Sequence, residues 1–485
     1  MNHDLCLKFY SLSPILLALG MALLSLMADA FFKNTYLKIS SWLSLAGIFL
    51  ATGFTLSLWN TPDQFFFSGA LRKDPFSIFF TGLFLLLSGL TVSFWNDANK
   101  ENPKRGEFHF FLFSGLSGMI LISWATDLMT FFISLEILSL ALYVLTAFHK
   151  DRLTSQEGAL KYFLLGAFST GFLLLGIVCT YAATGSTYLQ DISQYLVTTE
   201  HLLSPVFHLG IGLLAIGFGF KVAWVPFHMW VPDAYEGAPK AITAWMATAV
   251  KAAGFAIFIR FFLITLLPLH ELYEPLFILF SILTMSVGNF LALKQTSIVR
   301  MLAYSSIAHA GYIAMAVSAA GIHVFQLSLS AILFYLIVYG FMTMGAFAVV
   351  LAVNQKKSFE AIEEWGGLGY DHPWLGLAMS LFMLSLTGIP LTAGFIGKYL
   401  IFSATLKAGL YGLAILGILN SLVAACYYLR VVGVMYMKPS ERPFEQKSSA
   451  SLSIGIGLAA LGTLAFGILP QGILKIIQTV ILTLL

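Results

Sequence analysis

The stretch "GFKVAWVPFHMWVPDAYEGAP", Gly219 to Pro239, sets a lysine, a proline and a histidine inside a run otherwise apolar enough to be membrane helix. Hydrocarbon penalises a central lysine by about 2.5 to 3.5 kcal/mol even on the lenient insertion scale. Pro226 follows Lys221 by five residues. A proline there removes a backbone hydrogen bond and crowds the carbonyl of Val222. Broken helices at membrane depth are tolerated where freed backbone groups meet protein or water, the usual construction of a transporter site. Lysine beside a break therefore marks a candidate hydrated site. If helix continued past the kink, His228, seven residues on, would share nearly one face with Lys221.

The rest of the chain agrees with a membrane reading. Of its 485 residues 59% are hydrophobic and 10% charged, outside the range of soluble domains, so it is an all-α polytopic membrane protein. The net charge of +3 is too small and scattered for nucleic acid. Cys6, Cys179 and Cys426 lie far apart and form no CxxC, which argues against an iron–sulfur centre, a zinc site or a disulfide framework. No glycine-rich dinucleotide fingerprint follows a strand, so redox chemistry belongs to another chain. At the start, Lys8, an apolar run and "ADA" at Ala28 to Ala30 mimic a secretory signal. The run is about twenty residues, longer than a signal core, and reads as a retained first span.

Windows of about twenty apolar residues give about fourteen spans, beginning near Tyr10, Tyr36, Pro75, Phe108, Asp127, Gly158, Pro205, Pro239, Pro275, Ile298, Phe325, Pro373, Leu410 and Leu452. A short apolar tail after Pro470 fits the interface. With that alternation, fifteen lysines and arginines fall in one set of loops, and five, Lys8, Arg72, Lys73, Lys407 and Lys475, in the other. Cytoplasmic loops are enriched in these residues, so both termini should face away from the cytoplasm.

Six cations fall within spans. Lys161, Arg260 and Arg430 lie nearer helix ends, where snorkelling to the interface is the favoured reading. Lys221, Lys251 and Lys398 have no such escape. Lys398 ends a second broken stretch, "LTGIPLTAGFIGK", with Gly388, Pro390, Gly394 and Gly397. Glu136 in "FISLEILSL" is the one acid placed deep in a span, and His309 lies in "YSSIAHAGY". Burial disfavours a charged lysine and a nearby carboxylate favours it, so such a pair can take up or release a proton near neutral pH. Transport is the favoured reading for Lys221, Lys251, Lys398 and Glu136 against an ion pair that only holds helices together. His309 fits a relay and an interhelical hydrogen bond equally. His228 reads as structural or gating.

The spans also group. Helices 4–8, over 108–264, and helices 9–13, over 275–437, are two sets of five, and an odd number inverts the second copy. Three helices in 1–107 precede them, and 450–485 supplies the last helix and tail. Lys221 and Lys398 fall in the fourth helix of each set, Glu136 and His309 in the second.

The segments "GFKVAWVPFHMWVPDAYEGAP", "SLEILSL", "EGALKYFLLGA", "RMLAYSSIAHAGY" and "LSLTGIPLTAGFIGKY" resemble the antiporter-like membrane subunits of respiratory complex I, the bacterial NADH:quinone oxidoreductase. The likeness runs from about Phe108 to Tyr436. It implies two inverted five-helix repeats, each with a discontinuous helix, in the membrane arm of a hetero-oligomer. Lysine at 398 resembles the N or L branch, and the short chain after span fourteen leads us to expect N. Carried over by motif, Glu136, Lys221, Lys251 and Lys398 resemble the family's charged residues of helices five, seven, eight and twelve, and Glu136 is expected to modulate the charge of Lys221. On this resemblance Lys251, with His309, is expected to relay the proton along a hydrated axis and Lys398 to exchange it with the outer side, while Pro226, Pro390 and Gly394 are expected to shape the breaks and Lys161 to be secondary. NADH, FMN, iron–sulfur clusters and quinone then belong to other subunits, in a bacterial inner membrane. Cation/proton antiporter subunits of the Mrp type and membrane subunits of energy-converting hydrogenases share this architecture; a docking scaffold is the third reading.

Overall fold

A computed structural model describes residues 8–98, 105–198, 203–354, 359–440 and 450–484. Cys6 and the loop cations Lys100, Lys104, Lys356, Lys357, Arg442 and Lys447 lie outside them. Helix dominates because lipid offers backbone groups no hydrogen bonds, so each apolar segment must satisfy its own. Among the described residues, eleven helices are long and apolar enough to cross a membrane.

Three of the windows read from sequence differ from those eleven for physical reasons. Trp42–Ser57 is short, the helix Ile298–Ser318 is diluted by polar side chains, and the window from Pro373 is split into Pro373–Thr387 and Ala393–Lys407. Residues Ala28 to Ala30 lie inside the first helix, Ser13–Ser57, which bends at Phe32. After Pro470 the chain forms the helix Gln471–Leu482.

The helices that position the site are α1 (Pro75–Ala98), α2 (Arg105–Trp124), α3 (Leu128–Thr146), α4 (Leu153–Thr184), α5 (Pro205–Val222), α6 (Lys240–Thr265), α7 (His270–Leu293), α8 (Ile298–Ser318), α9 (Phe325–Val353), α10 (Pro373–Thr387), α11 (Ala393–Lys407) and α12 (Tyr411–Met437). Local chemistry sets their ends. Proline opens α1, α5 and α10, where its missing N–H is not needed. The carboxylate of Asp127 caps α3 by accepting from the Thr130 amide. Before α1 a small antiparallel hairpin pairs Gln64–Phe66 with Leu71–Lys73.

The chain divides into two compact units. One contains the residues up to Val222 together with Ala249–Pro268 and the last few residues; the other contains Ala223–Thr248 and Leu269–Ile481. The first passage between them falls at the break after Lys221.

Candidate functional site

The first break is sharper than a kink. Helix α5 stops at Val222, and Ala223 takes a left-handed φ of 64°. Pro226 cannot donate to the Val222 carbonyl and its ring crowds that oxygen, which is why helix ends there instead of bending. His228 therefore does not continue a helical face from Lys221; it lies in the turn that follows, half-buried. The freed amide of Val225 donates to the Thr284 hydroxyl at 3.0 Å, and the indole of Trp224 donates to the Ala310 carbonyl at 3.3 Å.

Within the first unit, Lys221 occupies the last turn of α5 with 8% of its surface exposed. Its Nζ donates to the Ser139 hydroxyl of α3 at 2.7 Å, and Ser139 in turn donates to the Leu135 carbonyl. Glu136 accepts from Thr170 Oγ1 at 2.9 Å. Glu136 and Ser139 are three residues apart and share a face of α3. Lys221 thus sits one turn from the carboxylate with a hydroxyl as its direct partner; among the described residues no ion pair joins it to Glu136. Lys251, 2% exposed, follows a π-helical turn over Met246–Val250 in α6. One turn later, a Cβ on Gly254 would stand 2.9 Å from Val222 Cγ1 and 3.5 Å from the Lys221 carbonyl carbon. The missing side chain lets the end of α5 lie against the helix that carries Lys251.

In the second unit, His309 on α8 is 2% exposed and held by tyrosines at both ring nitrogens: Nδ1 with Tyr335 at 2.7 Å and Nε2 with Tyr428 at 3.0 Å. The Tyr428 hydroxyl also meets Ser305. Lys398, 5% exposed, donates from Nζ to the Thr387 carbonyl at 2.8 Å and lies 4.8 Å from the centre of the Tyr312 ring. Tyr312 and His309 share α8 with ring centres 5.9 Å apart, and the Tyr312 hydroxyl accepts from Ser421 at 3.1 Å. This break lies between α10 and α11. Gly388 there has φ 97° and Leu391 has φ 73°, with Pro390 between them. Gly394 is not in the break itself: it sits in the first turn of α11, where a Cβ would fall 1.8 Å from the Ser385 carbonyl oxygen.

Of the three cations read as snorkelling, two are partly exposed and one is buried. Lys161 is 44% exposed and pairs with Glu157 at 2.6 Å, outside the Lys221 cluster; Arg430 is 35% exposed and pairs with Glu363 at 3.1 Å. Arg260, expected to snorkel, is 4% exposed and forms a bidentate pair with Asp74, whose side chain is fully covered. Its partner stands 186 residues away in sequence, which hid the pair. The tyrosines around His309 and the Ser139 hydroxyl were also missed, because hydroxyl-bearing residues are common in apolar helices and no spacing singles these out.

The family model described as NADH:quinone oxidoreductase/Mrp antiporter, TM, matches residues 125–424, which contain Glu136, Lys221, Lys251, His309 and Lys398. A protein of Trichlorobacter lovleyi named NADH-quinone oxidoreductase subunit N is 42% identical over 467 residues, covering 96% of this chain and 94% of that protein. The chain belongs to the NADH-quinone oxidoreductase subunit N family. A second member of the family, from Chloroflexus aggregans, is 38% identical with 96% of each chain covered. Among solved structures, a chain of respiratory complex I from Thermus thermophilus is similar at 34% identity with a TM-score of 0.81, covering 95% of this chain and 98% of that one. A chain of the Mrp complex from Dietzia sp. shares the fold at 18% identity and a TM-score of 0.81, covering 100% and 98%.

Proposed function

We propose that this chain is a proton-translocating membrane subunit of a bacterial NADH:quinone oxidoreductase. Electron transfer from NADH to quinone, with its FMN and iron–sulfur clusters, takes place in partner subunits and drives protons through this one. The observation that carries the reading is the burial of Lys221, Lys251 and Lys398, at 8%, 2% and 5% exposure, in apolar helices, with Lys221 and Lys398 each held by a polar partner beside a chain break. Ionisable groups so placed are expensive, and function is the default reason to keep them.

In this reading Glu136, one turn from the Ser139 that holds Lys221, biases the charge on that amine. Lys251 and His309 relay the proton, His309 through the hydroxyls on its two nitrogens, and Lys398 exchanges it with the outer side. In the same reading ten of fourteen crossings form two inverted five-helix repeats over 108–264 and 275–437, the even total leaves both termini on one side of the inner membrane, and the bias of lysine and arginine among the loops favours the side away from the cytoplasm. The test is the number of protons moved per NADH oxidised by the assembled complex in liposomes. Lys221→Ala should lower that ratio, and an unchanged ratio would refute the role. The identity of 37% or more to relatives named subunit N, against 18% to the Mrp chain, favours this reading over a cation/proton antiporter.

A further inference from the structure

Tyr312 touches the Lys398 amine, and no step of the path described above uses it. Lys398 Nζ lies 4.8 Å from the centre of the Tyr312 ring and donates to the Thr387 carbonyl at 2.8 Å. A Cβ on Gly388 would stand 3.0 Å from Lys398 Cδ and 3.7 Å from Nζ, so the missing side chain leaves room for the end of the lysine. Among the described residues no carboxylate pairs with this amine. Lys398 therefore rests between a carbonyl and an aromatic face, and every residue involved belongs to the second unit of the chain.

Two other helices hold the hydroxyl of the same tyrosine. It accepts from Ser421 Oγ of α12 at 3.1 Å and, at the long limit of 3.5 Å, from Asn289 Nδ2 of α7. Asn289 is fully covered and Tyr312 is 1% exposed. The Asn289 carbonyl oxygen accepts from the Tyr427 hydroxyl at 2.9 Å, and its amide also donates to Asn420 at 3.2 Å. Those last two bonds join α7 to α12 without Tyr312, so interhelical bonding accounts for them. It does not account for an aromatic ring seated on the lysine. A phenylalanine would present the same face to Lys398 without asking for buried hydrogen-bond partners, which are costly when left unmade. What the hydroxyl and its partners add is a fixed orientation of the ring.

An aromatic face also suits an amine that must gain and lose a proton. The ring quadrupole attracts an ammonium and has little to offer a neutral amine. A carboxylate in its place would hold the amine as a buried ion pair. We propose that Tyr312 is a further functional residue of the Lys398 site: its ring is a charge-selective rest for the protonated amine, and Ser421 and Asn289, acting through the hydroxyl, are positioning residues that keep the ring there. The inference rests on the proposed translocation, in which Lys398 exchanges the proton with the outer side.

The test is the number of protons moved per NADH by the assembled complex in liposomes, with complex yield measured alongside. Tyr312→Leu removes the ring and should lower the ratio further than Tyr312→Phe, which keeps it. Ser421 probes the positioning, because its hydroxyl meets the Tyr312 hydroxyl directly. Ser421→Ala should lower the ratio in the native background and have no further effect once Tyr312→Phe has removed the hydroxyl, a dependence that a purely structural role would not produce. Equal ratios in Tyr312→Leu and Tyr312→Phe, or a Ser421→Ala effect that is absent or the same size in both backgrounds, would overturn the proposal. If Tyr312→Leu does not assemble, the Ser421→Ala comparison alone decides. Failure of the translocation reading is seen separately: an unchanged ratio in Lys398→Ala removes Lys398 from the path, whereas a lowered ratio there with equal Tyr312 variants sinks only the role of Tyr312.

Discussion

Replacing Gly394 by alanine tests whether the second break holds Lys398 in place. An added Cβ would fall 1.8 Å from the Ser385 carbonyl oxygen, and real Cβ contacts are essentially never under 3.0 Å, so α11 must shift by at least 1.2 Å from that backbone. Lys398 is four residues further along the same helix, on the same face. Its amine lies 2.8 Å from the Thr387 carbonyl, so a shift of that size along the bond would bring the separation to about 4.0 Å, beyond hydrogen-bonding range. Overpacking costs about 1 to 3 kcal/mol, and loss of a charged hydrogen bond about 1.5 to 3 kcal/mol more. A misplacement of about 1 Å in a proton-transfer group is also enough to slow transfer by orders of magnitude. Gly412→Ala is the control, since its Cβ would meet nothing within 4 Å. The assay is proton movement per NADH in assembled complex, with complex yield measured alongside. Gly394→Ala should fall in both and Gly412→Ala in neither. Equal pumping and yield in the two variants would refute the claim that this glycine sets the position of Lys398.

Further outcomes follow from the same contacts. Asp74→Ala leaves Arg260 buried without its carboxylate and should destabilise the complex by about 3 to 5 kcal/mol, whereas Asp74→Leu with Arg260→Met should recover most of that in thermal-inactivation measurements. Tyr428→Phe removes the hydroxyl that joins Ser305 to His309 Nε2, at a cost of about 1 to 3 kcal/mol, and proton movement should fall more than NADH oxidation by other subunits. Hydrogen bonds from Lys438 and then Arg430 hold Glu363 below its ordinary value. Its contribution to stability is therefore complete above about pH 4.3 and lost as pH falls through the lowered value. Because Glu363 is exposed, Glu363→Gln should remove less than about 1 kcal/mol at neutral pH and flatten that acid-side slope in pH-dependent inactivation.

The breaks were legible because their causes are local. Pro226 stands four residues after Val222, and a proline so placed stops a helix whatever surrounds it. The buried lysines were legible for a similar reason, since a charge in a twenty-residue apolar window is costly in any fold. What could not be read was pairing across the chain. Arg260 sits near a helix end, where snorkelling is the cheaper alternative, and only the fold brings Asp74 to it. Tyr335 and Tyr428 likewise look like ordinary apolar positions until α9 and α12 bring their hydroxyls to His309. Gly394 was read as part of the break because glycine and proline cluster there; its actual constraint, close approach to Ser385, is tertiary.

The two breaks reach one electrostatic arrangement by different routes. Lys221 precedes its break and lies in the last turn of α5; Lys398 follows its break and reaches back to Thr387, the last residue of α10. In each case the lysine is at the carbonyl end of an interrupted helix, Lys221 by its place in the last turn of α5 and Lys398 by its bond to Thr387. An unbroken span has such an end only at the membrane surface, where a lysine would be solvated anyway. Interrupting the helix moves the open carbonyls, worth about half a negative charge, into the interior. They offer partial compensation to an ammonium without the full carboxylate that would fix it in one charge state. Lys221 has Glu136 one turn from its direct partner as a further bias, whereas Lys398 meets the Thr387 carbonyl and the aromatic face of Tyr312. Replacing Lys398 by glutamate separates the two requirements. A carboxylate at this position would face carbonyl oxygens instead of donors, so the arrangement predicts loss of proton movement in Lys398→Glu; retained movement would show that any ionisable group suffices and that the carbonyl end of α10 is not what selects lysine.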